Sequence, residues 1–365
     1  MDFKTGECIQ VIPIKNIYYM LAYAFQVLQS QGYKSLAAEN FENTADLCAA
    51  ILCKGVSNQL KQGLGRNYIP QTEPLSTVRG KIDLAESIRS QTVLKQQLVC
   101  SYDDFSVDTK LNRIIKSTLL LLTKNDISRE RKKEIRKLLV FFGEINEIDL
   151  YNVDWHIQYD RNNQTYRMMI AICNLIVRGL LQKQEDGTLR MMDYLDEQRM
   201  CHLYEKFILN YYKREHPDIN STASQIDWQL DDGVDDLLPV MKTDITLSSK
   251  DGKRFLIIDA KYYTHMMQVQ YDKHTLHSGN LYQIFTYVKN KEFELRAVES
   301  HTVSGMLLYA RTDEEISPDG TYHMSGNQIG VKSLDLNVEF DQIQEQLDRI
   351  YDDFFCNTEA SWIIR

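Results

Sequence analysis

The chain has 365 residues, of which 43% are hydrophobic and 25% are charged, a composition typical of a globular protein rather than of a collagen-like, coiled-coil or disordered chain. A chain of this length predicts two domains. The 51 acidic and 42 basic residues give a net charge of −9, which excludes a strongly basic nucleic-acid coat but not a local basic groove.

The cysteines and the N-terminus indicate where the protein acts. Seven cysteines, none at CxxC spacing, favour a reduced, cytoplasmic protein with mostly buried thiols over a disulfide framework or a zinc ribbon. The N-terminal residues have an acidic second position and no apolar core, so no signal peptide is expected. The apolar stretches are too short to span a bilayer, and we therefore expect no membrane association.

The first half of the chain predicts a helical domain with a small β-rich insert. Apolar residues at helical spacing predict helices over Pro13–Ser30 and Thr44–Gln62. Glycines, prolines and short β-like runs between Gly63 and Asp104 predict a small sheet. Helices are expected again over Asp108–Lys124 and Ser128–Phe142.

Two segments of this half allow two interpretations each. The tyrosines of the first helix either form core or contribute to a subunit interface, where tyrosine is enriched. The basic run Arg129–Lys137 is either a solvated helix face with Glu/Lys pairing or a contact for nucleic acid or a partner.

The second half predicts an α/β (α+β) domain with a mixed central sheet flanked by helices. Mixed polar and aromatic residues after Asp149 suggest a boundary, which gives domains 1–155 and 156–365. Helices are expected over Tyr166–Gln182 and Asp193–Glu215, followed by strands and turns up to Asp259.

The stretch from Leu238 to Lys261 carries the candidate chemistry. Alternation predicts a strand over Met241–Leu247, Asp251-Gly252 predicts a hairpin turn, and Phe255–Lys261 predicts a buried second strand. Side chains two apart share a face, so Asp259 and Lys261 lie together, and the hairpin register can bring Asp244 beside them.

Two carboxylates and an ammonium group at the end of a central sheet are costly to bury unless something neutralises them. Carboxylate oxygens, a main-chain carbonyl and water are the ligands that Mg²⁺ prefers. A nearby lysine can orient or deprotonate a water that attacks a phosphodiester. The alternative is a surface salt bridge at a strand end. A helix is predicted over Ser278–Lys289, with Gln283 and Tyr287 on one face, and it favours a metal-dependent site over a surface salt bridge.

Asp244, Asp259-Ala260-Lys261 and Gln283…Tyr287 together resemble the PD-(D/E)XK nuclease pattern, in the branch that ends in QxxxY. More narrowly, the chain resembles the McrC family, the nuclease subunits of McrBC modification-dependent restriction systems. The matching blocks are Ile12–Leu21, Arg79–Asp83, Asn112–Leu119, Thr243–Thr246, Asp259–Tyr263 and Asn280–Gln283.

The resemblance implies a restriction-endonuclease-like fold and a role for each residue of the pattern. Asp244, Asp259 and the carbonyl of Ala260 would hold Mg²⁺, and Lys261 would serve the attacking water. Gln283 and Tyr287 would position the site or the DNA backbone. Many of these nucleases add a Glu from the first core helix, where Glu205 stands here. Thr243 replaces the usual proline before the first aspartate.

The resemblance also implies a partner, a hexameric AAA+ GTPase of the McrB type that binds this chain through its N-terminal half. GTP would be used by that partner, since no phosphate-binding loop occurs in this sequence. The substrate would be double-stranded DNA carrying a 5-methylcytosine-type modification, which the partner would recognise. The alternatives are a stand-alone RecB-like repair nuclease and a non-catalytic activator of the GTPase.

One further group of side chains is chemically suggestive. His265, His274 and His277 could bind zinc, although no Cys or further His stands at ligand spacing, which favours a polar loop.

Overall fold

A computed structural model describes residues 12–25, 33, 36, 39, 41, 43–160, 163, 165–181, 197–231, 233, 237–263, 267–270, 273–298, 300–311 and 318–356. The chain divides into two compact units, Ala38–Tyr194 and a second unit formed by Met1–Ala37 together with Leu195–Arg365. No helix in the described ranges is both long and apolar enough to cross a membrane.

Four of the described helices form the helical part of the unit 38–194: α2 (Thr44–Gln62), α4 (Lys110–Thr123), α5 (Arg129–Leu139) and α6 (Tyr166–Leu181). The side chains of Asn43, Thr109 and Ser128 accept hydrogen bonds from the first turns of α2, α4 and α5, which sets where these helices begin. A 3₁₀ turn over Val140–Phe142 continues α5. The predicted helices of this region are therefore confirmed.

The predicted β-rich insert is a three-stranded antiparallel sheet of β1 (Asn67–Leu75), β2 (Lys81–Ile82) and β3 (Leu98–Ser106), in the order β1-β3-β2. The helix α3 (Leu84–Arg89) and a 3₁₀ turn over Thr92–Lys95 connect β2 to β3. The strands β1 and β3 pair along their whole length, from Asn67↔Ser106 to Leu75↔Leu98.

The second unit is an α/β layer structure, which confirms the predicted fold class. Its helices are α1 (Ile14–Ala24), α7 (Glu197–Glu215), α8 (Ser278–Glu294) and α9 (Phe340–Tyr351), the last followed by a π-helical turn over Asp352–Cys356. Its mixed sheet has the order β12-β13-β11-β8-β7-β4. The strands are β4 (Ile219–Thr222), β7 (Ile245–Ser249), β8 (Arg254–Lys261), β11 (Thr302–Ala310), β12 (Gly320–Met324) and β13 (Asn327–Leu334). Two short pairs complete the unit: β5 (Gln225–Ile226) with β6 (Met241–Lys242), and β9 (Met267–Gln270) with β10 (Lys273–Leu276).

The hydrophobic core of this unit fixes β8 at the centre of the sheet. The strand pairs parallel with β11 and antiparallel with β7. Ile257 of β8 and Leu307 of β11 pack with Ile284 and Val288 of α8, all four fully buried. The strand β8 is therefore flanked by β11 and β7 and covered on one face by α8, and its pairing with β11 continues to Lys261.

The division between the units differs from the predicted boundary near residue 155. Helix α6 belongs to the unit 38–194, because it contacts α2 and α4 and its Tyr166 hydroxyl donates to Asn112 at 2.7 Å. Helix α1 belongs to the other unit, because it packs on α7 and its Asn16 side chain donates to the carbonyl oxygens of Leu336 and Val338. Tyr18 and Tyr23 of α1 are buried, so these tyrosines form core.

The single strand predicted over Met241–Leu247 is wrong. Residues 241–242 pair with β5, whereas β7 begins at Ile245 and pairs with β8. The break falls at Thr243 and Asp244, because the Thr243 N–H donates to the Ser224 carbonyl at 2.9 Å and its hydroxyl bonds Thr246.

Candidate active site

The end of β8 presents Asp259 and Lys261 on the face that α8 covers. Asp259 is 1% exposed and the side chain of Lys261 is 13% exposed. Lys261 Nζ lies 2.9 Å from each carboxylate oxygen of Asp259, but only Oδ1 accepts with hydrogen-bond geometry. Asp259 Oδ2 is a buried oxygen without a hydrogen-bond partner.

Asp244 stands directly before β7, where the sheet register brings it opposite Asp259. The last ladder pair is Ile245↔Ile258, and the Asp251-Gly252 hairpin that sets this register is confirmed, with Gly252 at φ +69°. Beyond that pair, Asp244 Oδ2 accepts from the Ala260 N–H at 3.0 Å, where a strand residue would otherwise pair.

The electrostatics of the two aspartates are unfavourable without a further cation. Burial raises the pKa of Asp244, and the charges of Asp259 and Glu205 raise it further. Burial also raises the pKa of Asp259, although Lys261 acts in the opposite direction. Burial alone would lower the pKa of Lys261, but the attraction and hydrogen bond of Asp259, helped by Asp244, raise that pKa above its ordinary value.

Gln283 and Tyr287 of α8 extend the cluster as a chain of hydrogen bonds. Lys261 Nζ lies 3.4 Å from Gln283 Oε1, Gln283 Nε2 donates to the Tyr287 hydroxyl at 3.0 Å, and that hydroxyl donates to the Lys242 carbonyl at 3.2 Å. The spacing of four along α8 places both side chains on the face toward β8. The structure thus joins Asp259, Lys261, Gln283 and Tyr287 in one hydrogen-bond network.

Glu205 of α7 lies near this cluster without a direct bond to either aspartate. Its carboxylate accepts from the Cys201 thiol at 3.5 Å and lies 3.4 Å from His202 Nδ1. The Cys201 thiol also lies 3.8 Å from the Ala260 carbonyl oxygen. Glu205 reaches the aspartates only through its charge, which raises the pKa of each.

Sequence reasoning missed two neighbours of the cluster, Tyr309 and Cys201. Tyr309 pairs with Lys261 across β11 and β8 and is fully buried. The Asn280 side chain donates to the Tyr309 hydroxyl at 3.0 Å, and the Tyr263 hydroxyl lies 3.4 Å from Asn280 Oδ1. These bonds tie the start of α8 to the strand ends. No local pattern signals a pairing between strands about fifty residues apart.

The donor set fits a divalent cation bound by oxygen. The two mostly buried carboxylates repel each other, and the ammonium group of Lys261, which pairs with Asp259, supplies only one positive charge against them. Within the described ranges, no group of three or more His, Cys, Asp and Glu side chains is arranged to hold a metal ion. A cation here would therefore have the two aspartates, a main-chain oxygen and water as ligands, a set that is typical of Mg²⁺. His265 lies outside the described residues.

Comparison with known proteins identifies the family. Residues 4–310 match the family model described as McrBC 5-methylcytosine restriction system component. The type IV methyl-directed restriction enzyme EcoKMcrBC of Escherichia coli (strain K12) is 32% identical over 352 residues, which cover 94% of this chain and 98% of the relative.

Two solved structures from Thermococcus gammatolerans are similar at lower identity. One is a refined half-complex from the tetradecameric assembly of McrB AAA+ hexamers with bound McrC, at 16% identity and a TM-score of 0.48, covering 93% of this chain and 76% of that chain. The other is the McrBC complex, at 18% identity and a TM-score of 0.38, covering 55% of this chain and 58% of that chain. On the family model and the E. coli relative, the chain belongs to the McrBC 5-methylcytosine restriction system component family.

Proposed function

We propose that this chain is the DNA endonuclease subunit of a GTP-dependent, modification-dependent restriction complex in the cytoplasm. The observation that carries the proposal is the buried pair Asp259 and Lys261 at the end of β8, with Asp244 opposite. Burying such an ion pair costs several kcal/mol of desolvation free energy. Even an exposed ion pair contributes only about 0–1 kcal/mol to stability. Stability alone therefore does not explain why the pair is buried. Membership of the restriction-system family supports the same function.

In this proposal Asp244, Asp259 and the Ala260 carbonyl hold Mg²⁺. When bound, the ion supplies Lewis-acid stabilisation of the charge that develops on the phosphodiester. Lys261 would orient the attacking water, and its positive charge would stabilise the negative charge on the phosphate, a role that suits an ammonium kept protonated by Asp259. Gln283 and Tyr287 fix the position of Lys261 from α8. Glu205 is proposed to act through water rather than by direct contact.

The partner in this proposal is a hexameric McrB-type AAA+ GTPase, and the unit 38–194 is proposed to dock on it. Contiguous exposed apolar residues mark interaction surfaces in soluble proteins. The small sheet and its connection expose several large apolar side chains within one stretch of the sequence, with Tyr68 71% and Leu94 81% exposed. Others are Val78, Leu84, Ile88, Val93 and Phe105. This chain would use no nucleotide itself, and methylated duplex DNA would be recognised by the partner.

A reconstitution tests the function. The purified chain, a McrB-type AAA+ GTPase, GTP and Mg²⁺ are mixed with a methylated or an unmethylated plasmid, and double-strand breaks are counted on a gel. We expect breaks only in the methylated plasmid and only when both proteins are present. Cutting by this chain alone would favour a stand-alone repair nuclease. Accelerated GTP hydrolysis without breaks would favour a non-catalytic activator.

A further inference from the structure

Helix α5 concentrates positive charge in a chain whose net charge is −9, with six basic and two acidic residues in eleven positions. Among the described residues, Arg131 is the one basic residue of α5 that forms ion pairs. Arg131 bonds Glu134 at 2.6 Å and Glu39 at 3.0 Å, and it lies on the side of α5 that buries Ile135 and Leu138.

The five other cations lie on the opposite side of the helix. At 3.6 residues per turn, these positions fall within an arc of about 140° that points away from Ile135 and Leu138. Within the part of the chain that the structure describes, no carboxylate stands within 4.0 Å of them, so Glu/Lys pairing does not neutralise this face. The five are Arg129, Lys132, Lys133, Arg136 and Lys137, and all except the half-buried Lys132 are exposed.

This arrangement is electrostatically unfavourable for the free chain. Like charges at i,i+4, such as Arg129 with Lys133 and Lys132 with Arg136, each destabilise a helix by about 0.2–0.5 kcal/mol. A polyanion laid along the face would turn this repulsion into attraction. The cations span about 12 Å of helix axis, and B-DNA carries one charge per about 1.7 Å. Val140 and Phe141, both mainly exposed, extend the same helix end with apolar surface.

We propose that the outward face of α5 contacts the phosphate backbone of duplex DNA without reading its sequence. Around the helix axis, the arc that holds these Lys and Arg side chains contains no acidic residue, so charge complementarity favours an extended polyanion. The cations belong to the unit 38–194, whereas the candidate active site belongs to the other unit. The surface therefore adds a DNA contact to the proposed nuclease site rather than forming part of it.

Salt-dependent binding tests this contact without any cleavage. The full-length chain carries Arg129→Gln, Lys133→Gln and Arg136→Gln, and its affinity for a fluorescein-labelled duplex is measured by anisotropy in EDTA at several salt concentrations. Each phosphate contact contributes about 0.9 to the slope of log K against log[salt], so we expect the slope to fall by about 2 to 3. The matched control, Lys95→Gln, Lys213→Gln and Lys253→Gln, removes the same charge from exposed, scattered positions and is expected to keep the wild-type slope.

Circular dichroism and thermal unfolding verify that both variants fold. Equal slopes in the α5 variant and the wild type would overturn the proposal, as would a wild-type chain with no salt-dependent binding of duplex. A loss of GTPase binding with an unchanged DNA slope would assign the face to an acidic protein surface instead. Each result is independent of whether the chain cleaves DNA.

Discussion

At the scale of single residues, the two facing aspartates decide the energetics of the candidate site. Asp244 and Asp259 are both mostly buried, and Lys261 can neutralise only one charge. In the proposed site, this repulsion between the aspartates lowers the stability of the metal-free protein, and a bound cation would offset it. This trade is common where activity needs buried charge.

We expect Asp244→Asn to stabilise the metal-free protein. The amide oxygen can still accept from the Ala260 N–H, while the repulsion with Asp259 is removed. The gain should be about 1–2 kcal/mol in the free energy of unfolding, measured by urea denaturation in EDTA. Asp319→Asn removes an exposed charge and serves as control. A variant no more stable than its control would show that the repulsion is not significant.

Lys261→Ala should lower cleavage by about 10²-fold or more while Mg²⁺ affinity is retained. The reason is that an ammonium group acts on water or phosphate and competes with the metal for Asp259. Calorimetric titration with Mg²⁺ checks the affinity, and Lys253→Ala on the β7–β8 hairpin is the control. Collapse of metal binding in Lys261→Ala alone would contradict this role.

The sequence was sufficient to predict Asp244, Asp259 and Lys261 as neighbours because strand periodicity and one hairpin turn determine their positions. Tyr309 and Cys201 were missed because each comes from a distant element, and neither β11 nor α7 carries a local signal of what it faces. The roles assigned to the site residues stay predictions.

At the scale of elements, helix positions were largely predictable, since caps and apolar spacing are local. The break of the expected strand at Thr243 and Asp244 could not be predicted. The hydrogen-bond partners of these two residues, Ser224 and Ala260, come from other segments of the chain. Alternation over Met241–Leu247 continues through the break and so conceals it.

Asp108, just before α4, predicts an acid-sensitive contact. Hydrogen bonds from Arg113 outweigh burial and, with those from Asn146, lower the pKa of Asp108 to about 2. Because the pKa is lower in the folded protein, the ionised Asp108 stabilises the fold at pH values above the unfolded pKa of about 3.9. This contribution to stability is lost as the pH falls toward 2.

Asp108→Asn should therefore reduce the free energy of unfolding at pH 7 by about 1 kcal/mol, since solvent screens the partly exposed Arg113. The difference from wild type should shrink between about pH 4 and pH 2. Urea denaturation across this range measures it, with the exposed Asp149→Asn as control. A difference that stays constant down to pH 2 would contradict an ionic origin.

At the scale of the whole molecule, the unit 38–194 is inserted between α1 and the rest of the other unit. Sequence texture alone suggested a boundary near residue 155, because composition changes there. The pairing of α1 with α7 depends on contacts between segments nearly two hundred residues apart, such as the Tyr23 hydroxyl with Glu215 at 2.7 Å. Local patterns carry no information on such pairs.

Asn16→Ala should destabilise the unit that holds the candidate site. Asn16 is 2% exposed and donates to two carbonyl oxygens, of Leu336 and Val338, at 2.8 and 2.7 Å. Leaving these acceptors unsatisfied should cost about 1–3 kcal/mol, measured by thermal and urea unfolding. The neighbouring Lys15→Ala removes only an exposed ion pair with Glu339 and is the control. Equal stability of the two variants would argue against α1 as an integral part of this unit.

We propose that Asp259 serves cleavage rather than folding or assembly, and the variant Asp259→Asn in the reconstituted complex tests this role most directly. The variant and the exposed control Asp231→Asn are each mixed with the partner GTPase, GTP, Mg²⁺ and methylated plasmid, and both breaks and GTP hydrolysis are followed. We expect no double-strand breaks with Asp259→Asn, normal stimulation of GTP hydrolysis, and wild-type behaviour of the control. Breaks at the wild-type rate with Asp259→Asn would contradict it.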